Sequence, residues 1–436
     1  MNLPTTSLAH LRFLALFLIA FSFSATIPCA QTPGSPDLAF GNNGVTNTPV
    51  WSGYLQLLRD LVIQPDGKIL AVGSTAVNNG SSSWPRFTLR RYNPDGTIDE
   101  SFANAGITAD WLGTDSMANS AAILAGGGIV VTGEYGGNIA LARYSGNGLR
   151  RQIFGGAKGL RVIDLAEPGQ TSDDLPKKIV PRPDGGFFVV SIRNSYPTGT
   201  NPVLAESAIV VTSHGITGML DPTYASGGKF VMELPYHNYE IFNVKVEDGT
   251  MFVHANGSDR RNWSDPPEYQ PPSENITVKF GPNGLPDHTF GKNGTLRSTT
   301  SAVNSVLRVL PDGKLLASNG SRVVKMSGGG NIEQEIINAQ QITVDGQVFM
   351  KRSYLAQPDG KIIAQGIFPD LGWRPAFVRF LSTGEIDTTF GTNGLATANG
   401  ASFSGEHIFM LQNDGKILHA AVGAHFAMIL SRYHGG

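Results

Sequence analysis

Long polar segments carry the side chains of this sequence that are best suited to hold a ligand. Six residues on segments 76–86, 193–206 and 256–275 are the candidates: Trp84, Tyr196, Arg260, Arg261, Trp263 and Tyr269. Aromatic rings and guanidinium groups anchor ligands because they combine a large contact area with directional hydrogen bonds, and Trp and Tyr rings also stack on sugars. The alternative is a set of Pro-rich surface loops that have no partner.

Catalytic chemistry has no comparable signal. The sequence contains no Gly-x-Ser-x-Gly elbow, no Walker loop, no His-Glu-x-x-His and no dinucleotide-binding Gly-x-Gly-x-x-Gly. Among the nine histidines, His254 and His419 fall at near-equivalent points of two strands, where they either face a shared space near a central channel or are satisfied within the strands. A zinc site would need a third converging ligand, so we predict neither a metal nor a cofactor.

A basic residue recurs at one position of an internal repeat. The series is Arg91, Arg143, Lys279, Lys325, Arg379 and Arg432, with Val210 as its exception. Acids follow several of them, namely Asp99, Asp221, Asp287 and Asp387. The pattern is compatible with a cationic ring for an acidic ligand or with ion pairs inside each repeat, and the neighbouring acids favour ion pairs.

Oxygen-bearing residues at Asn93, Asp95 and Asp99 resemble part of a calcium loop. The distal Glu of an EF-hand is missing from this segment. Asp and Asn also favour turns through local side-chain hydrogen bonds. We therefore predict a turn here rather than a calcium site.

The elements that must position these residues are short apolar runs joined by Asp-Gly turns. Seven anchor glycines recur with a mean spacing of about 58 residues: Gly67, Gly127, Gly185, Gly249, Gly313, Gly360 and Gly415. An Asp-Gly pair between two apolar runs is a strong hairpin signal. A third run follows each hairpin, and a Phe-Gly-x-x-Gly-like element then opens a fourth.

Four strands per repeat and seven repeats predict an all-β, seven-bladed β-propeller over residues 31–436. The chain begins with a spare fourth strand and ends after a third one. We therefore expect residues 45–50 to pair with residues 427–433 and close the ring. The Phe-Gly element is missing between Gly313 and Gly360, which is also the shortest interval.

The repeated pieces also resemble a known family. Residues 64–69 (QPDGKI), 357–362 (QPDGKI) and 386–391 (IDTTFG) are similar to the delta sixty repeat of secreted bacterial proteins. The resemblance covers about residues 35–436. It implies an exported propeller-like protein, and it supplies no catalytic residues.

The N-terminal residues 1–30 read as a Sec-type signal peptide, with an apolar run at residues 13–23 that is too short to span a bilayer. An N-terminal anchor helix and lipidation of Cys29 are the alternatives. We therefore expect a secreted, periplasmic or cell-surface protein without a membrane span after cleavage. Charged residues make up 16% of the chain and the net charge is -2, which argues against a nucleic-acid partner.

The favoured function is noncatalytic binding of a protein or glycan through the inter-strand loops on one face of a monomeric propeller. The alternative is a glycan hydrolase or lyase with acid and base carboxylates at the central channel. Whether the protein is an enzyme is left open by the sequence, with the noncatalytic interpretation preferred. A purely structural surface protein is the third possibility.

Overall fold

A computed structural model describes the chain in fifteen segments. They are residues 31–48, 54–78, 83–113, 116–156, 159–199, 205–237, 239–258, 273–298, 305–319, 322–338, 342–344, 346–369, 374–397, 407–422 and 427–436. The predicted signal peptide lies outside them. Within these segments, no helix has the length and apolar character needed to cross a bilayer.

The described segments form 29 β-strands. The first fifteen are β1 (Val45–Thr48), β2 (Tyr54–Ile63), β3 (Ile69–Asn78), β4 (Ser83–Tyr92), β5 (Ile107–Asp110), β6 (Ser116–Ile123), β7 (Ile129–Tyr135), β8 (Asn138–Tyr144), β9 (Leu160–Ile163), β10 (Gln170–Pro181), β11 (Phe187–Pro197), β12 (Glu206–His214), β13 (Lys229–His237), β14 (Glu240–Glu247) and β15 (Thr250–Ser258). The others are β16 (Ser273–Phe280), β17 (Thr295–Ser298), β18 (Ser305–Val309), β19 (Leu315–Ser318), β20 (Arg322–Met326), β21 (Ile332–Asn338), β22 (Ile342–Val344), β23 (Gln347–Ala356), β24 (Ile362–Phe368), β25 (Arg374–Phe380), β26 (Leu395–Thr397), β27 (His407–Leu411), β28 (Ile417–Val422) and β29 (Met428–Tyr433).

The strands assemble into seven antiparallel sheets, which are the blades of a β-propeller. Blades 1 to 7 are β2–β5, β6–β9, β10–β13, β14–β17, β18–β21, β22–β26 and β27–β29 with β1. Blade 6 has a fifth strand, because β22 pairs with the start of β23. One strand of each blade contacts its counterparts in the two neighbouring blades, in the order β2, β6, β10, β14, β18, β23 and β27 and back to β2. These seven strands are therefore the innermost strands of the ring. The predicted seven-bladed fold is confirmed.

Hydrophobic side chains fill the space between blades. Every residue of β24 is buried, as expected for a short apolar strand covered on both faces. Between blades 1 and 2, Leu70 and Val72 of β3 pack in one cluster with Ile129 and Val131 of β7. Burying such side chains contributes roughly 1.5–3 kcal/mol each, so the stacked blades share a core that no single blade has.

The ring closes where the sequence predicted. Strand β1 pairs antiparallel with β29, with Val45 opposite Ser431 and Thr48 opposite Met428. An ion pair strengthens the seam, since the Arg432 Nε donates to the Asp37 Oδ2 at 2.8 Å. The first described strand and the last one therefore belong to the same blade.

The Asp-Gly turns join the first and second strands as predicted. In blade 1, Gly67 has a φ of 81°, a left-handed conformation that glycine adopts without strain. The Asp66 carboxylate accepts the Lys68 backbone N–H at 3.1 Å. In the following turn, Asp95 accepts the Thr97 backbone N–H at 2.9 Å. Hydrogen bonds within the turns therefore account for the presence of Asp66 and Asp95 at these positions.

A basic residue at the end of a third strand joins each of three blades to the next. In blade 1, Arg91 Nε donates to Asp99 Oδ2 at 2.7 Å, and its guanidinium lies 4.5 Å from the centre of the Phe102 ring. Its Nη1 donates to the carbonyl of Gly146 in blade 2. We call this arrangement the arginine latch. Arg379 of blade 6 and Arg432 of blade 7 repeat it with Asp387, Phe390, Asp37 and Phe40.

The latches decide between the two interpretations of the basic series. Arg91, Arg379 and Arg432 are buried and paired, so a cationic ring that includes them is wrong and ion pairing within blades is right. Lys279 likewise pairs with Asp287 at 2.7 Å.

One of two departures from the repeat was predicted from the sequence at the wrong residue. In blade 3 the equivalent of Arg91 is Ser213 and not Val210, because the Asp221 N–H donates to the Ser213 carbonyl as Asp99 does to Arg91. Arg182, from the preceding turn, supplies the guanidinium instead and reaches Asp221 at 3.0 Å. In blade 5, β21 forms the fourth strand without any Phe-Gly element.

Candidate ligand-binding face

The up-and-down order of strands places all connections between second and third strands on one side of the ring, together with the connections between blades. We call this side the hairpin face and the opposite side the turn face. The hairpins β3–β4, β11–β12 and β15–β16 are the longest of this kind among the described strands. Their strands include the described ends of the three polar segments, so these ends lie on the hairpin face.

The six predicted binding residues differ in what the structure describes. Trp84 lies on β4 opposite Val77, and its side chain is outside the described part. Tyr196 lies near the end of β11, half-buried, opposite Thr171. The remaining four are outside the described residues: Arg260, Arg261, Trp263 and Tyr269.

The β7–β8 hairpin of blade 2 extends less far on the hairpin face than the hairpins of blades 1 and 3. This hairpin ends at Tyr135 and turns through Gly136 and Gly137, whereas the hairpins of blades 1 and 3 continue about three residues further. At 3.3 Å per residue that difference is about 10 Å. The depression between the two taller hairpins is named the blade-2 notch.

Two aromatic residues belong to the elements that border the blade-2 notch. Trp111, which follows β5, is 59% exposed, and Tyr135 at the end of β7 is half-buried. The backbone at Gly113 rests on the Tyr135 ring so closely that an added Cβ would lie 2.4 Å from it. The Ser116 hydroxyl donates to the Pro85 carbonyl at 3.2 Å, which ties this connection to the β4 residue next to Trp84.

Sequence reasoning missed Trp111 because it examined only insertions between second and third strands. Trp111 lies on a connection between blades, which reaches the same face. The sequence feature that could have indicated Trp111 is a single Trp directly after a short fourth strand, followed two residues later by a glycine.

A buried polar row underlies the notch on the blade 3 side. Asp174 and Arg193 face each other across β10 and β11, and Ser172 faces Ser195 one step further. Asp174 Oδ2 accepts the Leu165 N–H at 2.7 Å. Burial raises the pKa of Asp174 to about 6.

Some atoms of that row have no hydrogen-bond partner among the described residues, namely Asp174 Oδ1, Arg193 Nε and Ser195 Oγ. Arg193 also holds two carboxylates that are more than half exposed, Glu233 at 2.7 Å and Glu167 at 3.4 Å. The notch therefore combines exposed aromatic surface with fixed polar groups, a combination suited to a hydroxyl-rich ligand.

The central channel is the second candidate site. Five of the innermost strands carry a β-bulge at equivalent positions, at Arg59, Asn119, Lys177, Phe242 and Arg352. All but Asn119 are exposed. Neighbouring blades cover both faces of an innermost strand, so an exposed side chain halfway along it reaches water through the channel. A β-bulge changes the direction in which a side chain points in this way.

This ring of bulges was not predicted from the sequence. A polar residue eight positions before an anchor glycine marks four of the bulges, at Arg59, Asn119, Lys177 and Arg352. Next to the bulges, Asp60 is bound by Lys178 at 2.7 Å and by the Ser120 hydroxyl at 2.7 Å. On the described innermost strands, Glu240 of blade 4 is the other carboxylate within two positions of a bulge, and it is exposed.

The two strand histidines do not share a space near the channel. His254 is fully buried, with Nδ1 at 2.9 Å from the Thr277 hydroxyl and Nε2 accepting the Val306 N–H at 2.9 Å. His419 is also buried, and its Nδ1 lies 3.1 Å from the Ser431 hydroxyl. Satisfied strand histidines are therefore the correct interpretation. Within the described segments no three metal-ligating side chains converge.

Comparison with known proteins adds the family context. Residues 64–102 and 357–390 match the model of a family described as a domain of unknown function (DUF5122) beta-propeller. Both segments contain an arginine latch, in blades 1 and 6. The chain is a β-propeller protein. None of the curated proteins compared with it matches, and the likeness to delta sixty repeats stays a prediction.

Several solved structures are similar to this chain. Prolyl oligopeptidase B from Galerina marginata is 10% identical, with a TM-score of 0.48, over 88% of this chain and 50% of that one. Drosophila Semaphorin 2a is 9% identical, with a TM-score of 0.47, over 90% and 75%. The α-L-arabinofuranosidase Arb93A from Fusarium graminearum is 10% identical, with a TM-score of 0.42, over 74% and 91%. The propeller spans about half the length of the oligopeptidase.

Proposed function

We propose that this protein is an exported, noncatalytic binding propeller that holds a glycan on its hairpin face. The observation that carries the proposal is the exposed Trp111, two residues before the Gly113 backbone that packs on the Tyr135 ring at the blade-2 notch. An indole ring gives a flat apolar surface for the face of a sugar ring, and the carboxylates of Glu167 and Glu233 accept hydrogen bonds from sugar hydroxyls. The predicted binding residues Trp84 and Tyr196 belong to the hairpins on either side.

The channel supports binding more than hydrolysis. Glycoside hydrolysis needs a pair of carboxylates about 5–10 Å apart. Around the described bulges the acids are Asp60, which Lys178 and Ser120 already bind, and Glu240 of blade 4. A glycan hydrolase or lyase that used these two acids would therefore depend on a carboxylate that is already held in an ion pair.

Export and a monomeric state complete the proposal. Export rests on the sequence of residues 1–30, and the destination is the periplasm, the cell surface or the medium. A fusion of residues 1–30 to a reporter that is active only outside the cytoplasm tests it. Loss of reporter activity without the segment is the expected result.

Replacing Trp111 with alanine is expected to weaken glycan binding at least tenfold while leaving the thermal unfolding midpoint unchanged. The reason is that Trp111 is 59% exposed, so its removal costs contact area with the ligand and little packing. A glycan array on the mature protein identifies the ligand, and calorimetry then compares the wild type with Trp111→Ala and Trp263→Ala.

The matched control is Leu38→Ala, because Leu38 is 58% exposed on the turn face and its variant should bind like the wild type. Absence of any bound glycan would remove the sugar proposal and leave protein ligands. Equal affinity of the wild type and the Trp111 variant would place the site elsewhere.

A further inference from the structure

Blade 2 departs from the arginine latch at two positions on the turn face. In blade 1 the latch acid Asp99 is followed by Ser101, whose hydroxyl donates to it. In blade 2 the residues at these positions are Arg151 and Ile153. The Arg151 N–H donates to the Arg143 carbonyl at 2.7 Å, as the Asp99 N–H does to Arg91. Blade 2 therefore has a cation and an apolar group where blade 1 has an anion and a hydroxyl.

The apolar side chain at this place is not covered by the protein. Ile153 is 93% exposed. Three more apolar residues on neighbouring turns of blades 2 and 3 are exposed: Leu149 by 58%, Ile216 by 46% and Met219 by 49%. The two turns touch, since the Gly155 N–H donates to the Thr217 carbonyl at 3.1 Å. The blade-2/3 patch is defined as Leu149, Arg151, Ile153, Ile216 and Met219.

The equivalent turn positions of the other blades can be compared with this patch. The position after the turn glycine is Leu149 in blade 2, Met219 in blade 3 and Leu285 in blade 4, and it is polar in the other three blades compared, as Thr97, Asn331 and Glu385. Exposed apolar residues occur elsewhere on the turn face, as at Leu38. Blades 2 and 3 differ because four such residues lie on two turns that touch each other.

The charge around the patch is positive. Arg143 donates to the Ile216 carbonyl at 3.0 Å, and no described carboxylate lies within ion-pair distance of its guanidinium. The nearest acids on the blade 3 side, Asp184 and Asp221, are both bound by Arg182. Arg151 therefore projects from a surface whose acids are already neutralised.

We propose that the blade-2/3 patch docks the propeller onto an anionic lipid surface. Its apolar side chains protrude from turns rather than line a groove, a form suited to insertion among lipid headgroups and not to holding a peptide. Arginine beside them pairs with lipid phosphates, and each basic residue near an anionic membrane adds about 1 kcal/mol of attraction. Apolar insertion combined with cationic attraction is how peripheral proteins lie on membranes.

Vesicle co-sedimentation of the mature protein tests the proposal. The probes are vesicles of phosphatidylcholine with 40% phosphatidylglycerol, and vesicles of phosphatidylcholine alone. We expect binding to the mixed vesicles that weakens as salt rises, and at least tenfold weaker binding to the neutral ones. The double variant Arg151→Asp/Ile153→Ser, which restores the blade 1 pattern, should lose binding at least tenfold.

The control variant is Leu38→Ser, an exposed apolar residue on the turn face outside the patch, which should bind vesicles like the wild type. Because the double variant recreates a pattern that blade 1 folds with, its thermal midpoint should not fall. Absence of binding between the wild-type protein and the mixed vesicles would overturn the proposal. So would a double variant that still binds them, or self-association of the wild type that the double variant abolishes, since that result would assign the patch to a second copy of the chain.

Discussion

Replacing Arg379 with alanine will lower the free energy of unfolding by about 3 kcal/mol, the range for breaking a buried ion pair. Both partners are almost inaccessible, with side-chain exposures of 1% for Arg379 and 4% for Asp387. Burial alone raises the pKa of Asp387, but the hydrogen bonds from Thr389 and the charges of Arg379 and Lys361 outweigh it and hold that pKa below its usual range. The variant therefore leaves a buried carboxylate whose main remaining cation is Lys361, at 4.0 Å.

Three further contacts disappear in this variant. The guanidinium lies 4.6 Å from the centre of the Phe390 ring, its Nη2 donates to the Thr389 hydroxyl at 3.4 Å, and its Nη1 donates to the Gly435 carbonyl. Loss of the Gly435 contact also weakens the joint between blades 6 and 7. Urea unfolding followed by tryptophan fluorescence measures the effect.

Arg143→Ala is the matched control for Arg379→Ala. Arg143 occupies the same position in blade 2 and reaches the next blade through the Ile216 carbonyl, but it lacks a described carboxylate partner. Its loss should cost about 1 kcal/mol, as for a single hydrogen bond. Equal losses in the two variants would mean that the buried ion pair does not dominate the latch. A loss of glycan binding in Arg379→Ala at unchanged stability would contradict its structural role.

The protein will lose stability as the pH falls below about 6.5, because three buried histidines and one half-buried histidine resist protonation. Burial lowers the pKa of His254 and of His419 to about 3, and the pKa of His214 and of His407 to about 4. The unfolded chain has histidine pKa values near 6.5. Between these values the unfolded state binds more protons than the folded state, so stability rises with pH across this window. Each group contributes roughly 1 kcal/mol per pH unit there.

The titration of Asp174 changes stability with pH in the opposite direction to that of the histidines. Its folded pKa of about 6 lies above the usual 3.8, so the folded state binds the extra proton between these values. The stability from this group is present at low pH and is lost as the pH rises through 6. One carboxyl offsets one histidine, and the net slope below pH 6.5 stays positive.

The measurement is the thermal midpoint between pH 4 and pH 8 in buffers of equal ionic strength. His254→Gln keeps a donor and an acceptor for Thr277 and Val306 but cannot be protonated, so its midpoint should fall less steeply with acid. His288→Gln is the control, since His288 is exposed, and its slope should match that of the wild type. Identical slopes in all three proteins would show that His254 does not govern acid sensitivity.

Ring architecture was predictable from the sequence because its determinants are local. Each Asp-Gly turn lies between two apolar runs within about ten residues, and Asp99 follows Arg91 inside one turn. Strand β1 could be assigned to the last blade because the phase of the repeat leaves one strand over at each end. These inferences need no knowledge of how blades lie against one another.

Features that depend on how separate strands and turns lie against one another were not predictable. Arg182 replaces a guanidinium that other blades carry on the third strand, and only the Asp221–Ser213 hydrogen bond reveals the correspondence. Trp111 becomes part of a notch because the next hairpin, at Gly136, is short. The bulges at Arg59 and Lys177 depend on one extra residue against a neighbouring strand, and a sequence period does not record that insertion.

The seam between β1 and β29 has a consequence for how the chain is made. Arg432 and Asp37 are 395 residues apart, so β1 leaves the ribosome long before its partner exists. Until synthesis ends, blades 1 and 7 lack a finished junction, and the edge of β1 is open to pairing with other chains. A circular permutant that joins the present ends and opens the chain between two other blades would make blade 7 continuous. Such a molecule should reach its native form faster and aggregate less while it folds.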